Sequence, residues 1–303
     1  MLDIALVGCG GSMPVPNRYL TSMMAAFNGS MMLIDCGEGT QVSLKMLKWG
    51  FKAIDIVAFT HYHGDHIIGF PGLLLTMGNS GRTAPLNVLG PPGLKNVVNG
   101  LRVICPELPF ELNLIEISTD TPEHIRIGEF SISTLPVEHT LPCLAYKIEA
   151  LRTKKFNREK AESLKIPMKF WNRLQKGEEI EFEDNVFTPD MVLGESRKGL
   201  QVCYCTDSRP INELVDFIKD SELFICEGMY GDDSNLDKAL QNKHMLFSEA
   251  AMLAKEGTVD ELWLTHYSPA LACPEDYLED ARKIFSNTVT GQDRMIKKLM
   301  FSK

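Results

Sequence analysis

FTHYHGDHIIGFPG, residues 59–72, is the stretch from which the rest of the chain is best read. It places His61, His63, Asp65 and His66 within six positions. In an extended segment residues i and i+2 point the same way, so His61 and His63 can reach one ion. Gly64 permits a tight turn. Asp65 and His66 then stand where a helix begins and can face a second ion. Imidazole and carboxylate together suit zinc and related first-row metals. A plain polar strand end seldom gathers four ligand-type groups.

The apolar run IDIVAFT precedes His61, and the same grammar recurs downstream. FSISTLPVE precedes His139, LQVCYCT precedes Asp207, and ELWLT precedes His266. Strand ends on one edge of a sheet converge on one cleft. Each of these residues alone reads more simply as a structural group. Together they make seven ligands, enough for two metals with room for water.

Further apolar runs at IALVG (4–8), MMLIDCG (31–37), LNVLG (86–90) and SELFIC (221–226) read as strands. Helical patterns fall at 39–47, after His66, and at 211–220, 248–257 and 274–285. The early part is β-rich and the late part has βαβα spacing. This predicts an α/β chain with two sheets covered by helices, not one wound sheet. The chain has 303 residues, 44% hydrophobic and 23% charged, which excludes a disordered chain, a collagen and a small disulfide scaffold. No apolar run approaches the roughly 18 residues that cross a bilayer. The start, MLDIALVGCGG, reads as no secretion signal. The eight scattered cysteines form no CxxC pair and read as buried thiols, which favours a cytoplasmic setting.

A net charge of −9 argues against a generic nucleic-acid binder. Residues 152–176, however, hold nine Lys or Arg and two Glu, a net of +7 that leaves −16 on the remainder. We expect one domain over 1–303 with a basic insertion at 150–199 that leaves the main core.

HxHxDH with a downstream His, Asp and His resembles the metallo-β-lactamase superfamily. Within it, LIDCGEGTQ (33–41), THYHGDHIIGFPGLL (60–74) and RKGLQVCYCTDSRP (197–210) resemble ribonuclease Z, the tRNA 3′-processing endonuclease. LGPPGL (89–94), PVEHT (136–140) and LTHYS (264–268) fit in order and spacing, so the likeness spans nearly the whole chain. The resemblance implies an αββα sandwich of two mixed sheets with a protruding arm. It implies two Zn2+ per chain, with Mn2+ or another divalent metal as the alternative. His61, His63 and His139 would bind one ion, Asp65, His66 and His266 the other, and Asp207 would bridge them. Hydroxide activated between the two metals would attack phosphorus, with Asp65 orienting or deprotonating the water. His244 and Glu227 match positions tied to protonating the leaving 3′-oxygen.

The implied substrate is precursor tRNA, cut to remove its 3′ trailer, and the implied assembly is a homodimer. The arm would grip RNA through Lys154, Lys155, Arg158, Lys169 and Arg173. The second reading is a phosphodiesterase of the same fold acting on a different or small substrate. Four departures from the family pattern bear on this. His244-Met245-Leu246 replaces His-Ser-Thr, and Cys226 stands before Glu227 where the family has His. Cys205-Thr206 replaces Ser-Gly, and IPMKFWNRL (166–174) lacks the arm's Gly-Pro pair.

Smaller features are read more plainly. Gly8-Cys9-Gly10-Gly11-Ser12 lacks the last glycine of a dinucleotide loop and reads as a tight strand–turn. Cys203 and Cys205 read as core, His124 as surface, and Phe170 with Trp171 as packing within the arm. Arg209 fits a phosphate contact or a structural ion pair equally well.

Overall fold

The computed structural model describes residues 1–183, 185–195 and 197–301. Chain order gives β1 (Leu2–Gly8), β2 (Ser22–Phe27), β3 (Ser30–Ile34), β4 (Ile54–Ala58), β5 (Leu86–Gly90) and β6 (Leu112–Glu116). Next come β7 (Glu123–Ile127), β8 (Phe130–Val137), β9 (Cys143–Arg152), β10 (Ile180–Phe182), β11 (Asn185–Phe187) and β12 (Arg197–Cys205). The last are β13 (Leu223–Glu227), β14 (Leu262–Thr265), β15 (Thr288–Thr290) and β16 (Ile296–Leu299). One seven-stranded sheet runs β16-β1-β2-β3-β4-β5-β6, and the other runs β15-β14-β13-β12-β9-β8-β7. Both sheets are mixed: β3 to β6 pair parallel and β1, β2 and β16 antiparallel. In the second sheet β12 to β15 pair parallel and β7 to β9 antiparallel. This is the expected two-sheet α/β architecture.

The strands read as near-continuous apolar runs because both faces are covered. On one face of the first sheet, Val7, Met24, Leu33, Val57 and Phe59 pack with helices α1 (Thr40–Met46), α3 (Phe70–Asn79) and α4 (Leu94–Leu101). These helices contribute Leu44, then Phe70, Leu73, Leu74 and Met77, then Leu94 and Val98. Between α1 and α3 lies a single turn, α2 (Gly64–Ile67). The sheets are joined by buried tyrosines. Tyr146 of β9 donates to the Phe59 carbonyl at 2.8 Å, and the Tyr204 hydroxyl of β12 lies 3.0 Å from Thr21 Oγ1. Seven of the eight cysteines are buried free thiols, Cys203 and Cys205 among them, and Cys273 is exposed.

Residues 151–200 separate as a second compact unit. It holds α5 (Arg158–Ser163), α6 (Trp171–Gln175) and the β10–β11 hairpin. Asn157 caps α5 by accepting the Lys160 amide at 2.9 Å. Ala161, Ile166, Leu174, Ile180, Phe187 and Val192 form its core, against which Phe170 and Trp171 pack. The basic charge of this insertion is concentrated in its first half. That half carries the +7, but residues 151–200 as a whole hold eleven Lys and Arg against nine Asp and Glu, a net of +2. No described helix is long and apolar enough to cross a membrane.

Candidate metal centre

Five of the candidate residues lie at or just past strand ends. His61 follows β4, His139 follows β8, Asp207 follows β12, Glu227 ends β13 and His266 follows β14. β4 with its neighbours, and β12 to β14 among themselves, pair parallel and so carry their C-terminal ends to one edge of each sheet, where His139 beyond β8 joins them. Asp207 and His266 take the left-handed backbone, with φ of +56° and +55°. Non-glycine residues adopt that conformation only where the surroundings enforce it, and such residues cluster at functional sites.

Six of the chain's seven histidines meet here, and the seventh, His124, is exposed. Two donor groups form. In the first, His61 Nε2 lies 2.8 Å from His63 Nδ1, and His139 Nε2 lies 3.2 Å from that same His63 atom. Asp207 Oδ1 completes the group, 3.7 Å from His139 Nε2. In the second, His66 Nε2 and His266 Nε2 are 3.2 Å apart, with Asp65 Oδ2 3.3 Å from the latter. Asp207 Oδ2 lies 3.1 Å from each of those two nitrogens. One carboxylate thus gives one oxygen to each group.

The donor set fits divalent cations. Asp207 Oδ2 is buried with no aligned hydrogen-bond partner, a costly arrangement unless something positive is held there. Burial, reinforced by neighbouring imidazoles, holds His61 well below the ordinary histidine range. Burial also lowers His63 and His139. Their nitrogens therefore offer lone pairs at neutral pH. Burial opposes charge on Asp207, but His266, His66 and His61 outweigh it and hold the carboxyl well below its usual range. His66 is raised: Asp207 and Asp35 overcome its burial.

Supporting contacts aim the ligands. His139 Nδ1 meets the Lys243 carbonyl at 3.2 Å, which leaves Nε2 for the centre. Asp35, with φ of +58° just past β3, was given no role on sequence. Its Oδ2 lies 2.8 Å from His66 Nδ1, and its Oδ1 accepts the Thr60 amide at 2.9 Å. An acid at the end of MMLID obeys the same strand-end grammar and was findable by it. The Gly8–Ser12 turn, more than a strand–turn, also reaches the centre. The Ser12 amide donates to Asp65 Oδ2 at 2.6 Å, and a Cβ on Gly11 would lie 2.6 Å from His266 Cε1.

An open cleft of about 650 Å³ exposes the centre, lined by Ser12, His63, Asp65, His139, Asp207 and His244 among others. His244 Nδ1 lies 3.0 Å from Glu227 Oε2. Burial opposes the imidazolium, but the Glu227 carboxylate, helped by Asp207, outweighs it and lifts His244 to about 9. Glu227 is fully buried and accepts the Ser208 amide through Oε1 at 2.6 Å. Met245 and Leu246, which replace the hydroxyl residues of the family pattern, are buried away from the cleft.

The arm residues lie in the second unit. Lys154 pairs with Asp190 at 3.3 Å and Arg173 with Glu178 at 2.7 Å. Lys169 Nζ sits over the rings of Phe170 and Phe182, 4.8 and 4.6 Å from their centroids. Lys155 and Arg158 are exposed.

Two facing mixed sheets with helices outside, and an Asp-shared His/Asp centre at the strand ends, define a metallo-β-lactamase-fold hydrolase. Solved structures agree on the fold. The short form of human tRNase Z matches with a TM-score of 0.72 at 21% identity, covering 99% of this chain and 100% of that one. A metallo-β-lactamase-fold protein from Bacillus subtilis matches at 0.70 and 20%, covering 98% of each. Residues 2–98 match the family model described as anti-Pycsar protein Apyc1. A protein named ribonuclease Z from Clostridium kluyveri is 56% identical over 301 residues, 99% of each chain. One of that name from Clostridium acetobutylicum is 52% identical over 306 residues, again 99% of each. The chain belongs to the ribonuclease Z family and is a metal-dependent endoribonuclease.

Proposed function

We propose that the chain removes 3′ trailers from precursor tRNA by zinc-dependent phosphodiester hydrolysis in the cytoplasm. The observation that carries the chemistry is Asp207, whose two oxygens face two separate donor groups. The names of full-length relatives support the substrate. His61, His63 and His139 would hold one zinc ion and Asp65, His66 and His266 the second, with Asp207 offering one oxygen to each group. Two such ions together acidify a water and neutralise charge developing on a phosphoryl oxygen.

The chain's own groups do the rest. Asp65, held by the Ser12 amide, orients the attacking water and takes its proton. His244 has its Nδ1 engaged by Glu227, so its Nε2 carries a proton for the leaving 3′-oxygen. Burial of Glu227 keeps that partner in place. The cations at Lys154, Lys155, Arg158, Lys169 and Arg173 take up the RNA backbone, and the chain works as a homodimer, as the family resemblance implies.

The test is cleavage of an end-labelled precursor tRNA by metal-analysed protein, with bis(p-nitrophenyl) phosphate in parallel. A cut just 3′ of the discriminator base, lost on chelation and restored by zinc, is the expected result. Hydrolysis of the small diester alone would assign a small substrate instead.

A further inference from the structure

Arg209 stands two residues beyond Asp207, yet it does not line the cleft. Its guanidinium is turned to the wall behind His244. Nη1 donates to the His244 carbonyl and, at 2.9 Å, to Glu249 Oε2, while Nη2 donates to Glu249 Oε1. Its backbone amide donates to the Glu138 carbonyl at 3.0 Å, next to His139. The two side chains are only 11% and 20% exposed. A planar guanidinium meets a carboxylate with two donors at fixed geometry, which an ammonium cannot do.

Glu249 lies in the first turn of the helix Phe247–Glu256 and reaches back to accept the Leu246 amide at 2.9 Å. Leu246 is the residue before that helix, where a serine or threonine hydroxyl would normally cap it. A leucine has no such acceptor, so Glu249 carries this end of the helix. His244 sits in a segment with other ties as well: the Lys243 carbonyl meets His139 Nδ1 at 3.2 Å, and the Phe247 amide donates to the Tyr230 carbonyl at 3.0 Å. The His244 amide donates to the Ala239 carbonyl at 2.9 Å, and Lys243 before it has φ of +57°.

We propose that Arg209, braced by Glu249, is a positioning residue for His244. It clamps the His244 carbonyl and the start of the Phe247–Glu256 helix to the loop that carries Asp207, and so fixes the imidazole against the leaving oxygen. This inference rests on the reading of His244 as the proton donor, and it deepens that reading. Replacing the side chain by methionine leaves the donor groups intact, because the Arg209 backbone bond to Glu138 does not depend on the guanidinium. What is lost is alignment of the proton. A misplacement of about 1 Å in a reacting group costs on the order of 100-fold.

The leaving group separates the outcomes. The p-nitrophenolate of bis(p-nitrophenyl) phosphate departs as a stable anion, whereas a ribose 3′-oxygen requires a proton. The experiment measures kcat and KM on labelled precursor RNA and on the diester for R209M, E249Q and H244A, each with its metal content determined. E249Q keeps the shape of the Leu246 contact and covers the case in which R209M fails to fold. We expect R209M to lower the ratio of RNA to diester kcat by about 10–100-fold with KM for RNA little changed. E249Q is expected to shift the ratio in the same direction by less, and H244A by at least as much as R209M. An equal loss on both substrates in R209M and E249Q would overturn the inference, since the pair would then serve only fold or metal. A rise in KM alone would make Arg209 an RNA contact instead. If H244A itself leaves the ratio unchanged, the reading of His244 fails and the clamp with it. If H244A shifts the ratio and neither other variant does, only the clamp fails.

Discussion

Asp207 combines complete burial, a left-handed backbone and two oxygens that face different donor groups. No other residue type would serve there. Asparagine would present an amide N–H to one group, and the longer glutamate would overrun the space between them. Asp35 acts one contact further out, through His66 Nδ1. Asp35→Asn should weaken metal binding by about 10–100-fold, read by zinc titration of the metal-free protein. Unchanged affinity would mean that His66 is aimed by packing alone. His63 is the least buried of the first donor group, and burial lowers its proton affinity. His63→Ala should abolish RNA cleavage while the protein stays folded by circular dichroism. Full activity in that variant would remove the first donor group from the account.

Elements deliver these side chains because a strand ends where its apolar run ends, and a ligand-type residue comes next. That rule made His61, His139, Asp207 and His266 legible together, with β8 read at 130–137 and found at Phe130–Val137. Other elements were less legible. β9, CLAYKIEALR, is rich in helix-favouring Leu, Ala, Lys and Glu, and it became a strand only through its pairing with β8. Helix α4 hid behind Gly-Pro-Pro-Gly because it starts from Gly93, at φ +96°, with no side-chain cap. The apolar run after His66 splits into α2 and α3 at Gly69. There the Gly69 amide donates to the Cys36 carbonyl at 2.9 Å. A Cβ at Gly69 would lie 2.2 Å from the Gly37 carbonyl oxygen. Neither backbone can yield without moving the ligand-bearing turn, so Gly69→Ala should cost about 1–3 kcal/mol, measured by denaturant unfolding. A variant of unchanged stability would show that the junction is looser than this contact allows.

On the scale of the whole molecule, charge was legible as a run but not as a balance. The +7 of residues 152–176 lies in a unit whose later residues are acidic, and Lys154 and Arg173 already have carboxylate partners. If the second unit takes up RNA, Lys155 should matter more than Lys154, whose charge Asp190 partly answers. Lys155→Glu should weaken RNA binding more than Lys154→Glu and lower the salt slope of log K by about 1. Diester hydrolysis should hold. No effect from either would take RNA contact away from this unit, and equal losses would mean that Asp190 does not answer the charge of Lys154. Surface partners leave little mark on a sequence, whereas residues at strand ends are brought together by the order of the strands. The central claim is that one buried aspartate joins two donor groups into a single dinuclear centre. Its most direct test is zinc titration of the metal-free protein, following bound metal and RNA cleavage together. The account predicts two ions per chain, with cleavage rising with the second. Full cleavage at one ion per chain would contradict it.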